Sequence, residues 1–443
     1  MLARANSLHT DPAADRRDLE RVLELSGGTR NPQHRLTAQF RLAMLDVQDR
    51  AYEKGINGTR QAAARAQREG LHGVAAAAMG DLGYALYLAR RVDEAVIALR
   101  ESVAMAEEAR SYAILAANRI RLSEALSNAP VHRVAEAIEV MGPAITWYRQ
   151  NHYNEVLPVA LLKWGTVLVN AAQLDAAEAS FREALDRAKA QGNVLRQTMA
   201  LQRLGGVFDP RDLRQAVGYW DDAVFQARRS GVTLVFIQAA RTHNHLGEYG
   251  SAANLQAEFD RRVAKFEPGP DRTMLENRSH HVQWEIFYFQ GKCLADPVID
   301  LIARSKSDAC RSGVSDATVR GHLQLLEKTA EEATARGDIA QATKHWEAAS
   351  HMALRLADFP NAVRLAARTI GLAQSIRFSE LELEAALVLR AAQHRLGNGE
   401  AVIPLTRQCL DLATRIGFPS PADQFGGRQD LRRLWLEVPF GHK

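Results

Sequence analysis

Two stretches of this chain lie over one another in a single frame. MGDLGYALYLARRVDEAVIALRESVAMAEEA (79–109) aligns with LKWGTVLVNAAQLDAAEASFREALDRAKAQGN (162–193) so that Gly83 meets Gly165, Ala95 meets Ala177 and Leu99 meets Phe181. All three steps equal 82, two periods of 41. A third stretch is LQRLGGVFDPRDLRQAVGYWDDAVFQARRSG (201–231). Gly165 to Gly205 is a step of 40, and Ala177 to Ala216 and Phe181 to Trp220 are steps of 39. A unit this short cannot bury its own apolar face, so it must stack on copies of itself.

The unit is helical. The chain holds 73 Ala among 443 residues, and Ala is the best helix former because it loses no side-chain entropy. Alternation of β-branched residues is nearly absent. The longest candidate, VTLVFI (232–237), runs on into QAARTHNHL and reads as helix. Within each unit a small residue in a first helix precedes a polar turn, then Ala-x3-bulky-x2-Ala in a second. Gly and Ala let two antiparallel backbones approach, and the bulky residue fills the groove toward the next pair. The fold class expected is all-α, a solenoid of helical hairpins.

This pattern resembles the tetratricopeptide repeat (TPR). Leu82-Gly83, Trp164-Gly165 and Leu204-Gly205 stand at that family's Leu-Gly positions, with Ala177-x3-Phe181-x2-Ala184 and Ala216-x3-Trp220-x2-Ala223 in the second helices. The period departs from that family's common length of roughly 34, since at 39–41 each helix gains about a turn. That longer variety resembles the repeats of bacterial sensor and regulator proteins. The resemblance implies a right-handed superhelix whose concave face is lined by first helices and receives a peptide or a protein partner.

The rest of the chain divides around these copies. Residues 1–70 read as atypical N-terminal helices, a cap or a first repeat. An array covers 71–266, including 111–150, where Asn128-Ala129-Pro130 makes the turn and Ala137-x3-Met141-x2-Ala144 imitates the second helix. The breaker Glu267-Pro268-Gly269-Pro270-Asp271 is a hinge or an elongated turn. A second subarray spans 272–418, with helices near 272–292 and 296–311. There Gly337-Asp338 reads as a C-cap followed by an N-cap. Ala342-x3-Trp346-x2-Ala349 and Ala362-x3-Ala366 both fit the second-helix pattern, yet they stand only half a period apart, which leaves two registers open. The tail, 419–443, carries a short capping helix around 431–436.

Composition limits the function classes. The balance of 56 Lys+Arg against 52 Asp+Glu leaves +4, too little for a nucleic-acid footprint despite a pI of 9.0. Arg outnumbers Lys 47 to 9, which fits a GC-rich genome. Three cysteines (Cys293, Cys310, Cys409) exclude a disulfide scaffold or a CxxC zinc site. No run of about 18 apolar residues spans a membrane and no leader-type apolar region opens the chain, so a cytoplasmic location is expected.

No catalytic constellation assembles. Gly291-Lys292 lacks the earlier glycine of a phosphate loop, Gly397-Asn398-Gly399 has no preceding strand, and neither GxSxG nor HExxH occurs. His280-His281 and His243-x-His245 point apart on a helix. His281 and Glu285 have ligand spacing but no third partner. Asp308-Ala309-Cys310-Arg311-Ser312-Gly313 faintly resembles the QACxG strip of caspase-like proteases, without a paired His in a strand context. Val314 to Leu323 resembles the recognition helix of LuxR-type helix-turn-helix domains, in which Thr318, Arg320 and His322 would meet DNA. Against that, Asp308 and Ser312 stand where that family buries apolar residues, and the segment lies mid-chain, whereas the family's domain usually comes last. The bland reading is a repeat helix capped by Ser315. Enzyme activity, cofactors and metals are therefore not expected.

Binding by the first helices is the expectation that remains. In the register of the Leu-Gly positions, Tyr84, Tyr87, Lys163, Asn170 and Arg203 line the concave face, followed by Asn118, Arg121, Arg241, Asn244 and His245 in less regular repeats. Asn suits a peptide backbone through its paired amide groups, and Arg and Lys suit carboxylates. The primary reading is a non-enzymatic scaffold or sensor that binds a peptide or protein, with no nucleic acid or membrane partner. The alternatives are the sensing part of a transcription regulator with a degenerate helix-turn-helix near 302–323, and a cysteine protease or its accessory.

Overall fold

The computed structural model describes residues 12–26, 32–128, 133–209, 211–290, 315–418, 425 and 427–438. Among these residues there are twenty helices and no strand. The chain forms two compact units, 1–171 and 172–443. No helix among the described residues is long and apolar enough to cross a membrane.

The first unit holds α1 (Pro12–Ser26), α2 (Pro32–Gln48), α3 (Tyr52–Arg68), α4 (His72–Leu88), α5 (Val92–Glu108), α6 (Tyr112–Ser127), α7 (Val134–Gln150) and α8 (Leu157–Asn170). Each helix packs on the next. The first helices α2, α4, α6 and α8 also lie side by side. The second unit holds α9 (Leu174–Ala190), α10 (Val194–Phe208), α11 (Leu213–Ser230), α12 (Leu234–His245), α13 (Tyr249–Val263), α14 (Pro270–Phe289), α15 (Asp316–Ala335), α16 (Ile339–Arg355), α17 (Phe359–Ser375), α18 (Ser379–Arg395), α19 (Gly399–Ile416) and α20 (Gln429–Leu436). Here α12 lies beside α14, and α16 beside α18. This is an all-α architecture of successive helical hairpins.

The small-residue positions have the packing role that the repeat implies. A Cβ built on Gly83 would lie 2.5 Å from Leu99 Cγ, and one on Gly205 would lie 2.6 Å from the Trp220 indole. Ala95, Ala177, Ala216 and their partners Leu99, Phe181 and Trp220 are all buried. The two competing registers are both helices. Ala342, Trp346 and Ala349 lie on α16, a first helix beside α18, and Ala362 and Ala366 lie on the second helix α17.

Turns follow a second rule. Most helices stop at a residue with positive φ whose amide bonds back into the last turn. Glycine fills this position at Gly70, Gly192, Gly231, Gly247, Gly337, Gly397 and Gly417. Arg50, Arg90, Arg110, His152, Ala172, Ala357 and Arg377 fill it elsewhere at φ of +51° to +65°, a region where an L side chain costs about 1–2 kcal/mol. Asp338 then caps α16 by accepting from Gln341 N at 3.1 Å, and Ser315 caps α15 by accepting from Thr318 N at 3.3 Å. The breaker at 267–271 forms the turn into α14, which begins at Pro270, within the second unit.

The second unit folds back on itself. Arg377 pairs with Asp175 at 2.7 Å, and Arg214 Nε donates to Gly417 O at 3.1 Å. Leu213 and Leu246 share one core with Leu383, Leu412, Ile416, Phe425 and Trp435. The short helix expected near 431–436 is part of α20, whose Leu431 and Trp435 lie in that core.

Candidate functional site

One position recurs, once per repeat, on the first helices of the first unit: Arg41 on α2, Asp81 on α4, Arg121 on α6 and Lys163 on α8. Adjacent first helices bring these side chains together. Arg121 pairs with Asp81 at 2.6 Å, and Arg41 lies 3.8 Å from the same carboxylate. One turn further along, Glu124 on α6 pairs with Lys163 at 2.6 Å. Tyr84, one turn beyond Asp81, has two cations near its ring, with Arg121 Cζ 5.5 Å and Lys163 Nζ 5.6 Å from its centroid. Such contacts favour a cation over the ring face.

Asparagines bind the same helices to one another. Asn118 Nδ2 donates to Ala76 O at 3.1 Å, Asn170 Nδ2 to Ser127 O at 3.2 Å, and Asn128 Nδ2 to the Tyr87 hydroxyl at 2.9 Å. Burial pushes the Tyr87 phenol up, and Glu124 adds to that. Tyr84 and Tyr87 stack with centroids 6.3 Å apart.

Five of the ten residues expected to line the groove, Tyr84, Tyr87, Asn118, Arg121 and Lys163, thus stand in one connected row, while Asn170 bonds the end of α6 at Ser127. Asn118 departs from the expectation of an exposed lining residue. It is 1% exposed and fills the space beside Gly80, where a Cβ would collide with its amide. The side chains of Arg121, Glu124 and Lys163 remain 23, 26 and 29% exposed. The sequence reading missed Asp81 and Glu124, the acids that hold the cations. Their signal was in the repeat: Asp81 stands where the neighbouring units carry Arg or Lys.

The other four residues lie in the second unit. Arg203, the position that follows Lys163 in the repeat, is exposed on α10. Arg241 pairs with Glu285 on α14 at 3.0 Å. Asn244 is fully buried, which also departs from a lining role. His245 Nδ1 lies 2.5 Å from Glu380 Oε1 on α18. That side of α12 faces charged groups of its own unit. Its neighbour Asp209 accepts from Thr242 Oγ1 at 2.6 Å and Trp220 Nε1 at 3.0 Å. Burial raises its carboxyl despite these bonds.

The other motifs are placed as follows. Cys293 and Cys310 lie outside the described residues, as does the protease-like strip around Cys310. Cys409 is buried on α19, and burial pushes its thiol up to about 12, where it is protonated and inert. Of the helix-turn-helix-like segment, 302–314 also lies outside the described residues. The remainder begins α15, with Val319 and Leu323 buried against the core and Arg320 exposed. Glu285, one of the metal-spaced pair, is taken by Arg241. No cluster of three His, Cys, Asp or Glu side chains suited to a metal occurs among the described residues.

No protein-family model matches the chain, and no curated protein matches it. Among solved structures it is similar to the apo form of RapI at 11% identity, covering 77% of this chain and 92% of that one, with a TM-score of 0.49. A Rap protein complexed with Competence and Sporulation Factor is similar at 12% identity, over 82% of this chain and 92% of that one, also at 0.49. Yeast Tom70 aligns at 12% identity over 96% of this chain and 92% of that one, with a TM-score of 0.28.

Proposed function

We propose that the chain is a non-catalytic scaffold that binds an extended peptide or protein segment along the first helices of its first unit. The observation that carries this reading is the half-buried ring of Tyr84, with Arg121 and Lys163 both within about 6 Å of its centroid. Around it, charges alternate from Arg41 through Asp81, Arg121 and Glu124 to Lys163. Such a row does not call for a strongly acidic ligand. It suits a peptide, whose amides accept and donate in turn and whose side chains can carry either charge. Because neighbouring helices already hold each side chain, little rotamer freedom is lost on binding.

The test is selection of a displayed random-peptide library on the full chain, followed by affinity measurement for the selected peptides. Tyr84→Ala and Lys163→Ala are expected to weaken binding at least tenfold. Arg68→Glu, an exposed change on the second helix α3, is expected to leave it unchanged. Equal binding by all three variants and the wild type would remove the first-helix row from consideration.

A further inference from the structure

Three acids on first helices of the second unit stand near one another. Glu380 and Glu384 on α18 and Glu347 on α16 lie close enough to influence one another. Burial raises the Glu384 carboxyl well above its ordinary value, and Glu347 raises it further. Glu380, in contrast, is held, against burial, below its ordinary value by His245 and Arg428 and stays ionised, which makes this face a seat for a cation. The cation that occupies it is Arg428, from the C-terminal segment of the same chain.

The seat is specific. Arg428 is 1% exposed. Its guanidinium donates to Glu380 at 3.2 Å and Glu384 at 2.9 Å, and to the carbonyl of His245 at 3.4 Å. Its plane lies over Phe289 of α14, with Cζ 3.8 Å from the ring centroid. Asp430, from the segment itself, squares the fork at 2.7 Å. Tyr249 Oη donates to Gly427 O at 2.6 Å, and a Cβ on Gly247 would lie 2.5 Å from Gly427 N, so the two backbones touch. Charge-assisted bonds, a stacked aromatic and a backbone clamp are how a protein reads an arginine in a peptide.

The segment itself has the form of a ligand. It is one short helix, α20, outside the hairpin alternation, lying against first helices α14 and α18. Leu431 and Trp435 anchor it, each 1% exposed. Arg390 of α18 receives its far end, donating to Trp435 O at 2.9 Å and Val438 O at 3.3 Å.

We infer that the first-helix face of the second unit is an arginine-reading peptide site, filled in this structure by residues 427–438, and that an arginine-bearing peptide enters by displacing them. This inference does not depend on the row in the first unit.

The experiment uses the full chain with a specific protease site placed in 419–424. After cleavage, the released C-terminal piece is expected to co-elute with the body and to exchange for a labelled synthetic peptide spanning 425–438. The same peptide carrying Arg428→Ala is expected to bind at least tenfold more weakly, and the body carrying Glu380→Gln, which removes the ionised partner, to bind the parent peptide more weakly. In the uncut chain, α20 amides are expected to exchange with deuterium faster than those of α18. Equal binding of the two peptides overturns the inference, because arginine is then not read. Loss of helix on cleavage, or exchange of α20 only together with α18, also overturns it, because the segment is then part of the permanent core.

Discussion

The Asp81 carboxylate, 3% exposed, lies 2.6 Å from the guanidinium of Arg121, its counterpart on the next first helix. This pair sets the lateral register of α4 against α6. Asp81→Ala leaves Arg121 and Arg41 facing one another without their shared acid. Since Arg121 remains 23% exposed, solvent screens part of the loss, and a destabilisation of about 1–3 kcal/mol is expected. Urea denaturation of Asp81→Ala, Arg121→Ala and the double variant checks it. Additive effects would mean that the pair contributes no coupling.

A tighter expectation concerns Gly205. The Trp220 indole that fills the space above it is fixed by its Nε1 bond to Asp209 at 3.0 Å, so it has nowhere to retreat. Gly205→Ala should cost about 1–3 kcal/mol, even though alanine favours helix. Gly206→Ala, whose Cβ would meet nothing within 4 Å, should be neutral or stabilising. The two thermal midpoints, side by side, decide whether close approach governs this position.

His243 gives a pH expectation. Burial opposes its charge, but Asp221 at 3.1 Å and Glu248 at 2.7 Å outweigh burial and raise it above the ordinary 6.5. A raised histidine contributes stability that is fully present below the unfolded value and lost as pH rises through the folded one. The advantage of wild type over His243→Asn should therefore be largest below about 6.5 and shrink as pH rises above it, as measured by denaturant midpoints across pH.

Glu380 works in the opposite sense. Burial alone would raise its carboxyl, but His245 and Arg428 hold it down to about 2 from an ordinary 4.5. Its contribution is present above 4.5 and lost as pH falls toward about 2. Glu380→Gln, which has no such contribution to lose, should decline less than wild type over that interval. An acid titration followed by circular dichroism in which both chains lose stability in parallel would contradict this.

Ala357 ends α16 at φ +56°. Ala357→Gly relieves that backbone conformation, and the extra freedom of the unfolded chain offsets part of the gain. A net stabilisation of up to about 1 kcal/mol is expected. Gly337→Ala, at φ +77°, should lose a similar amount. Thermal midpoints of the two variants check both signs.

The architecture was legible because Gly83, Gly165 and Gly205 and their bulky partners recur in step, and close packing leaves little choice at such positions. The row in the first unit was half legible. Cations and asparagines could be numbered from the Leu-Gly register, but nothing singled out Asp81 and Glu124 until α4, α6 and α8 stood side by side. The exposure of Asn118 and Asn244 was misjudged because helical phase alone cannot separate a side chain in the groove from one wedged between two helices. The seat of Arg428 was not legible at all. It joins His245, Phe289 and Glu380 to Arg428, and no local pattern announces contacts at such separations.

Left-handed turn residues fall at 50, 70, 90 and 110, and again at 337, 357, 377, 397 and 417. These two stretches thus count in twenties, with every second count returning to the same side. Within them, whole helices can be gained or lost only in coarse steps. A duplication or excision bounded by two turns forty apart, such as 51–90, rejoins like with like and keeps every remaining helix on its own side. One of half that size would exchange first and second helices in the rest of that unit. A lineage of such chains would then differ in length by forties, and indels of other sizes would be confined to the turns themselves.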